Sequence, residues 1–117
     1  MLYNKEKPKG EPAMLPKPSA KIDYEAFQNP DSFHRPAYMW CWNSPITADG
    51  LTAQLRELYE AGGGGVMIVP EPSYFRPHTM RTTLEPDYLT DAYFEIYRAV
   101  VQEADRLGMK IWFYDEG

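Results

Sequence analysis

Asp115 and Glu116 stand side by side at the end of an apolar run, "KIWFYDEG". Carboxylates move protons as general acids and bases, and they accept hydrogen bonds from ligand hydroxyls. Neighbours on an extended strand point to opposite faces. If the strand continues through them, Ile111, Phe113 and Asp115 share one face, and Trp112, Tyr114 and Glu116 share the other. Only one carboxylate then reaches a given space, so the pair is a poor acid–base couple. One is better suited to hold a ligand hydroxyl while the other fixes the next loop. Tyr114, just before them, joins the candidates for ligand binding.

Two other places offer similar chemistry. Trp40 and Trp42 share a strand face by period two, with Cys41 opposite and Asn43 just beyond. Trp42 can stack on a ligand ring at the strand's end, with Asn43 beside it, or both tryptophans can be core. Glu71 lies between Pro70 and Pro72 and either binds ligand or is loop surface. His34 and His78 are far apart and without partners, which does not make a metal site. Cys41 is the single cysteine, excluding an internal disulfide and any zinc site built on several cysteines; it reads as a small buried hydrophobe.

The elements that must position these residues follow a regular order. Residues 1–21 are rich in Lys and Pro and lack hydrophobic periodicity, which predicts an extended tail. "IDYEAFQNPDSFHRP" predicts a short helix or an irregular lead-in. "AYMWCWN" (37–43) is a near-continuous apolar run, a buried strand. Leu51, Leu55 and Leu58 fall on one helical face, capped by Thr47 or Asp49 and ended by Gly62. "GVMIV" (65–69) is a second strand, followed by a polar, Pro-rich stretch to about residue 87. A second helix begins at Thr90 or Asp91, carries Tyr93, Ile96, Tyr97, Val100 and Leu107 on its apolar face, and stops at Gly108. "KIWFY" (110–114) is the third strand.

Strands with one wet face should alternate, and these do not. The order β-α-β-α-β therefore predicts a parallel sheet covered on both faces, either an open doubly wound sheet or part of a (β/α)8 barrel. "AGGGGV" sits between helix and strand, where it cannot present a helix N-terminus to a phosphate. It predicts a tight turn with glycines at positive φ. The candidate residues gather after the strands, on the side where both architectures bind ligands. A barrel needs about 250 residues and eight such units. Three strands are unfinished, so either the chain is a fragment or another chain covers its last strand.

Composition narrows the partners. With 117 residues the chain holds one domain at most. Its net charge of −5, and the absence of a basic cluster interleaved with aromatics, argue against nucleic acid. No apolar run approaches a membrane span. The N-terminus has no apolar core of a signal peptide, so the chain as written reads as cytoplasmic. Aromatic content of 15% with eleven prolines fits a binder of carbohydrate or other ring-bearing ligands, although cores use the same residues.

The pattern across 27–117 resembles the start of the catalytic barrel in bacterial glycoside hydrolases related to the α-L-rhamnosidases of family 106. The resembling residues are Phe27, Asn29 and Pro30 in the lead-in, then Trp40, Trp42 and Asn43 at a strand end. The helix ending "AGGGGV", the "YL…YF" helix start and "LGMKIWFYDEG" complete them. Many relatives carry a histidine and an arginine where this chain has Pro70, Glu71 and Pro72, which leaves substrate choice open. The resemblance implies the first three staves of an incomplete TIM (β/α)8 barrel over 22–117 and a carbohydrate substrate. It implies substrate-binding roles for Trp42, Asn43, Glu71, Tyr114, Asp115 and Glu116. Glycosidases need two carboxyls roughly 5 Å apart for retention or 6.5–9.5 Å for inversion. In barrel glycosidases these sit on later strands, so no catalytic residue is expected here and the chain alone is expected to be inactive. A calcium ion near the sugar is implied for the full-length parent, although no calcium loop is recognisable in this chain. The rival expectation is an autonomous small βαβαβ module that self-associates through open strand edges.

Overall fold

The computed structural model describes residues 21–75 and 77–115. The tail expected over 1–21 lies outside them except for Lys21, and so does Glu116. Helix α1 (Tyr24–Gln28) and a single 3-10 turn (Ser32–His34) form the lead-in. Strand β1 (Ala37–Trp42), helix α2 (Ala48–Glu60), strand β2 (Gly65–Pro70), helix α3 (Asp91–Leu107) and strand β3 (Lys110–Trp112) follow. The strands form one open parallel sheet in the order β1-β2-β3. The cap alternatives resolve to threonines. The Thr47 hydroxyl accepts from the Gly50 N–H at 3.1 Å, and the Thr90 hydroxyl from the Tyr93 N–H at 3.3 Å. Gly108 ends α3 at φ 69°, the left-handed conformation that turns the next N–H, of Met109, back to the Ala104 carbonyl at 2.9 Å.

All six residues of β1 pair with β2, from Ala37 beside Gly65 to Trp42 beside Pro70, whereas β3 pairs only Lys110, Ile111 and Trp112. Paired residues of a parallel sheet point the same way. Trp40, Trp42, Val66, Ile68 and Ile111 therefore face α2 and α3 and join Leu51, Leu55, Tyr93, Val100 and Ala104 in one core. Met39, Cys41, Met67 and Trp112 face the other way. There Met39 is 66% and Trp112 40% exposed, and Cys41 is exposed too. Two expectations change here. Burial on both faces holds for β2 alone, because the two helices cover one side of the sheet and β1 and β3 are its edges. Cys41 is on the open side, so it is not the buried hydrophobe expected.

The glycine run also works differently from the expectation. Only Gly62 has positive φ, at 95°. The next three are close-approach positions. A methyl group on Gly64 would overlap the Ser32 carbonyl, and one on Gly65 would overlap the Lys110 carbonyl and the Trp112 ring. The gaps that exclude a methyl are closed by hydrogen bonds. The Gly64 N–H donates to the Pro36 carbonyl at 2.8 Å, and the Lys110 N–H donates to the Gly64 carbonyl at 2.9 Å. The Ser32 hydroxyl donates to the Gly108 carbonyl at 2.5 Å. Lead-in, turn and β3 are thus tied together at one end of the sheet.

Across the helices, Arg56 of α2 donates to Glu103 of α3 at 2.7 Å, and Arg106 binds the same carboxylate at 2.6 Å. These guanidinium hydrogen bonds, Arg106 first and then Arg56, hold the Glu103 carboxyl down to about 2, from an ordinary 4.5. A carboxyl lowered on folding adds stability that is complete above its unfolded value and disappears as pH falls through its folded value.

Two outcomes are expected. Gly65→Ala should destabilise the fold by about 1–3 kcal/mol or more, as overpacking against backbone does, read from tryptophan fluorescence during urea unfolding. Gly62→Ala meets no such overlap, and its cost comes instead from the strain of a side chain at φ 95°. Glu103→Gln should lower the thermal midpoint at pH 7, measured at one fixed dilute concentration. The gap between variant and parent should close as pH falls from about 4.5 to about 2.

Candidate functional site

The strand ends opposite the glycine turn build one cleft from two loops. Leaving β1, the chain passes Asn43 and reaches Pro45, which forms an isolated bridge with Glu85. The Ile46 N–H donates to the Glu85 carbonyl at 2.8 Å, and the Thr83 N–H donates to the Asn43 carbonyl at 3.1 Å. The polar stretch after β2 therefore folds back along the end of β1. Buried Leu84 and Ile46 hold it there. A cleft of about 510 Å³ remains, lined by Asn43, Glu71, Met80, Arg81 and Thr82.

Glu71 is the most constrained of these. It follows directly from β2, and Pro70 and Pro72 on either side are among the most fully buried residues. Its N–H donates to the Trp42 carbonyl at 3.0 Å, continuing the β1–β2 ladder one step. The Thr82 hydroxyl donates to its carbonyl. Two prolines restrict the neighbouring φ angles and two hydrogen bonds fix both sides of the peptide. Glu71 is 8% exposed, yet it lines the cleft. The backbone of such a residue has little freedom left to lose on binding.

The other predicted residues are placed separately. Trp42 is 1% exposed and lies in the helix-side core. Its ring packs edge-on against Trp40, Tyr93 and Tyr97, with centroids 5.6, 5.8 and 5.7 Å away. It follows the core alternative, because its strand parity turns it toward the helices. Its indole Nε1 has no hydrogen-bond partner among the described residues. Burial, helped by the nearby tyrosines, pushes the Tyr93 and Tyr97 hydroxyls above their ordinary values. This cluster therefore stays neutral.

β3 ends at Trp112, so the alternation expected through Asp115 does not extend that far. Phe113 (77% exposed), half-buried Tyr114 and exposed Asp115 follow outside any strand. They leave from the same end of the sheet but do not line the Asn43–Glu71 cleft. Of the five predicted residues that are described, Asn43 and Glu71 line one cleft. Sequence reasoning missed Arg81 and Thr82, which sit ten and eleven residues beyond Glu71 in a stretch without periodicity. The only available signal was a threonine and an arginine in a loop that follows a strand. Among the described residues, no group of three His, Cys, Asp or Glu side chains could hold a metal ion. No helix among the described residues is long and apolar enough to cross a membrane.

The anchoring of Glu71 is testable by hydrogen exchange. Thr82→Val should speed exchange of the Glu71 and Thr83 amides several-fold, since one hydrogen bond contributes about 0.5–1.5 kcal/mol. Amides in the middle of α2 should keep their rates.

No family model and no curated protein matches the sequence. A solved structure does: a rhamnosidase from Novosphingobium sp. PP1Y, 28% identical, superposing with a TM-score of 0.59 over 76% of this chain. The match spans 8% of the rhamnosidase chain. The protein is a parallel α/β fold with a distant relation to a glycoside hydrolase.

Proposed function

We propose that the chain supplies the first three staves of a (β/α)8 barrel in a glycoside hydrolase of the α-L-rhamnosidase type. One observation carries this reading. The three parallel strands run in sequence order, and their likeness to a rhamnosidase extends over 76% of the chain. In such barrels substrate lies at the C-terminal ends of the strands. Asn43 and Glu71 are at that rim, and Tyr114 and Asp115 follow the neighbouring strand. Glu116, in the same segment, is assigned with them. In this reading these residues bind sugar hydroxyls, and the proton-transferring carboxyls belong to later strands. The exposed side of the sheet, with Met39, Cys41, Met67 and Trp112, is the barrel interior. Chain 1–117 then has no hydrolytic activity of its own, and calcium, if the parent uses it, is bound by residues elsewhere.

The second reading, a self-associating βαβαβ module, draws support from the same exposed face and from the outer edges of β1 and β3, which pair with no strand among the described residues. Nucleotide sequence beyond codon 117 separates the two. An open frame adding further strand–helix units supports the barrel, and an immediate stop codon supports the module.

For the extended protein, the assay is hydrolysis of an aryl α-L-rhamnoside and of related aryl glycosides. Glu71→Gln and Asp115→Asn should raise KM by about 10–150-fold while kcat changes little, which is the scale of a lost charged hydrogen bond. Loss of turnover that azide or formate restores would make the residue a catalytic carboxylate and overturn the binding assignment. Absence of turnover on every glycoside would overturn the enzyme reading itself.

A further inference from the structure

At the glycine-turn end of the sheet, away from the Asn43–Glu71 cleft, a second groove of about 470 Å³ lies between the lead-in and the last turns of both helices. Asn29, Asp31 and Arg35 line it from the lead-in, Tyr59 and Glu60 from α2, and Leu107 from α3.

The charges on the α2 wall are placed against their own helix. A helix C-terminus carries a partial negative charge and is stabilised by nearby cations. α2 has no basic residue in its last turn and ends instead on Glu57, Leu58, Tyr59 and Glu60. Neither glutamate is in an ion pair among the described residues. By contrast, α3 has Arg106 in its last turn. The lead-in wall does not supply the missing cation. Arg35 is committed to the lead-in itself, its Nε donating to the Pro30 carbonyl at 2.7 Å and its Nη2 to the Asn29 side-chain oxygen at 2.6 Å. Asp31 is bound to His34 at 2.8 Å, which leaves Glu60 as the open carboxylate of the groove. Tyr59, 46% exposed, adds an aromatic face beside it.

The chain carries a segment of matching chemistry. Residues 1–20 hold four lysines and two glutamates, a net +2, against −5 for the chain as a whole. Lys5, Lys7, Lys9 and Lys17 are interspersed there with Pro8, Pro12, Pro16 and Pro18. Proline-rich backbone favours the extended polyproline II form, which aromatic faces accept. Its fixed φ angles also reduce the entropy lost on docking. The segment joins the body at Lys21. From there to Asn29 the chain covers at most about 20 Å, because α1 takes up five of the residues. Twelve extended residues reach about 40 Å, so Lys9 and Lys17 are both within range.

We propose that residues 5–18 of this chain occupy the groove, with lysine at the Glu60 end of α2 and proline on Tyr59. The cation that α2 lacks is then supplied by the segment before the lead-in. This contact is at the end of the sheet remote from the ligand cleft and does not depend on the carbohydrate reading.

Zero-length carbodiimide cross-linking of the full chain, read by peptide mass spectrometry, tests it. An equal share of 15N-labelled chain separates links within one chain from links between copies. A segment that is only tethered reacts most with the carboxylates nearest its attachment, Asp23 and Glu25. Docking in the groove should instead make Glu60 the main partner of the lysines at 5, 7, 9 and 17. Its yield should be several-fold above that of Glu25, and above that of Asp49, which is exposed at the other end of α2. The preference should shrink as salt rises. Links led by Asp23 or Glu25, an even spread over the exposed carboxylates, or Glu60 links that run between copies would each overturn the proposal.

Discussion

Gly64 and Gly65 leave no room for a methyl group, and the rest of the fold is arranged around that contact. One side of the turn meets the Ser32 carbonyl and the other meets the Lys110 carbonyl and the Trp112 ring. Backbones can come this close only where Cβ is missing. The hydrogen bonds of Gly64 to Pro36 and of Lys110 to Gly64 then fix where β1 and β3 begin relative to β2. With the starts fixed, the ends of β1 and β2 fall level, and Asn43 and Glu71 emerge side by side. The geometry of the cleft is therefore set at the opposite end of the sheet.

The helix-side core depends on the same register. Trp42 stands at the last paired position of β1, where parity directs it onto α3 and into contact with Tyr93 and Tyr97. Edge-to-face aromatic pairs contribute roughly 0.5–1.5 kcal/mol each beyond area burial. Against this, the buried indole N–H lacks a partner among the described residues and costs about 1–3 kcal/mol. The ring packing is sufficient to keep the tryptophan inside. A residue so placed has no face left for a ligand, which moves ligand recognition from the strand to the loops behind it.

Those loops differ in how firmly they hold their carboxylates. Glu71 is locked by two buried prolines and by hydrogen bonds to Trp42 and Thr82. Asp115 follows a three-residue strand and is exposed, and Trp112 is the last residue before it that pairs with β2. Preorganised groups lose less entropy on binding than mobile ones. Glu71 is accordingly the stronger of the two candidates in this structure. Asp115 needs neighbouring elements to hold it, as the barrel reading supplies.

The element order and the parallel sheet were legible in the sequence, and each helix cap was narrowed to two residues. Apolar runs, threonine caps and glycine stops act over a few residues, and local chemistry is enough to set them. Asn43 and Glu71 were legible for the same reason, since each directly follows a strand. What the sequence left open were relations between distant segments. Whether Trp42 faces a ligand or the core depends on which side of the sheet α3 covers. The partnership of Glu71 with Thr82 and Arg81 depends on a loop that folds back over more than ten residues with no repeating pattern. The length of β3 was overestimated because Phe113 and Tyr114 look like strand residues. Pairing stops at Trp112 all the same, although β2 itself runs on to Pro70. Local propensity chose the elements, and close packing between segments far apart in sequence decided which side chains they turn toward a ligand.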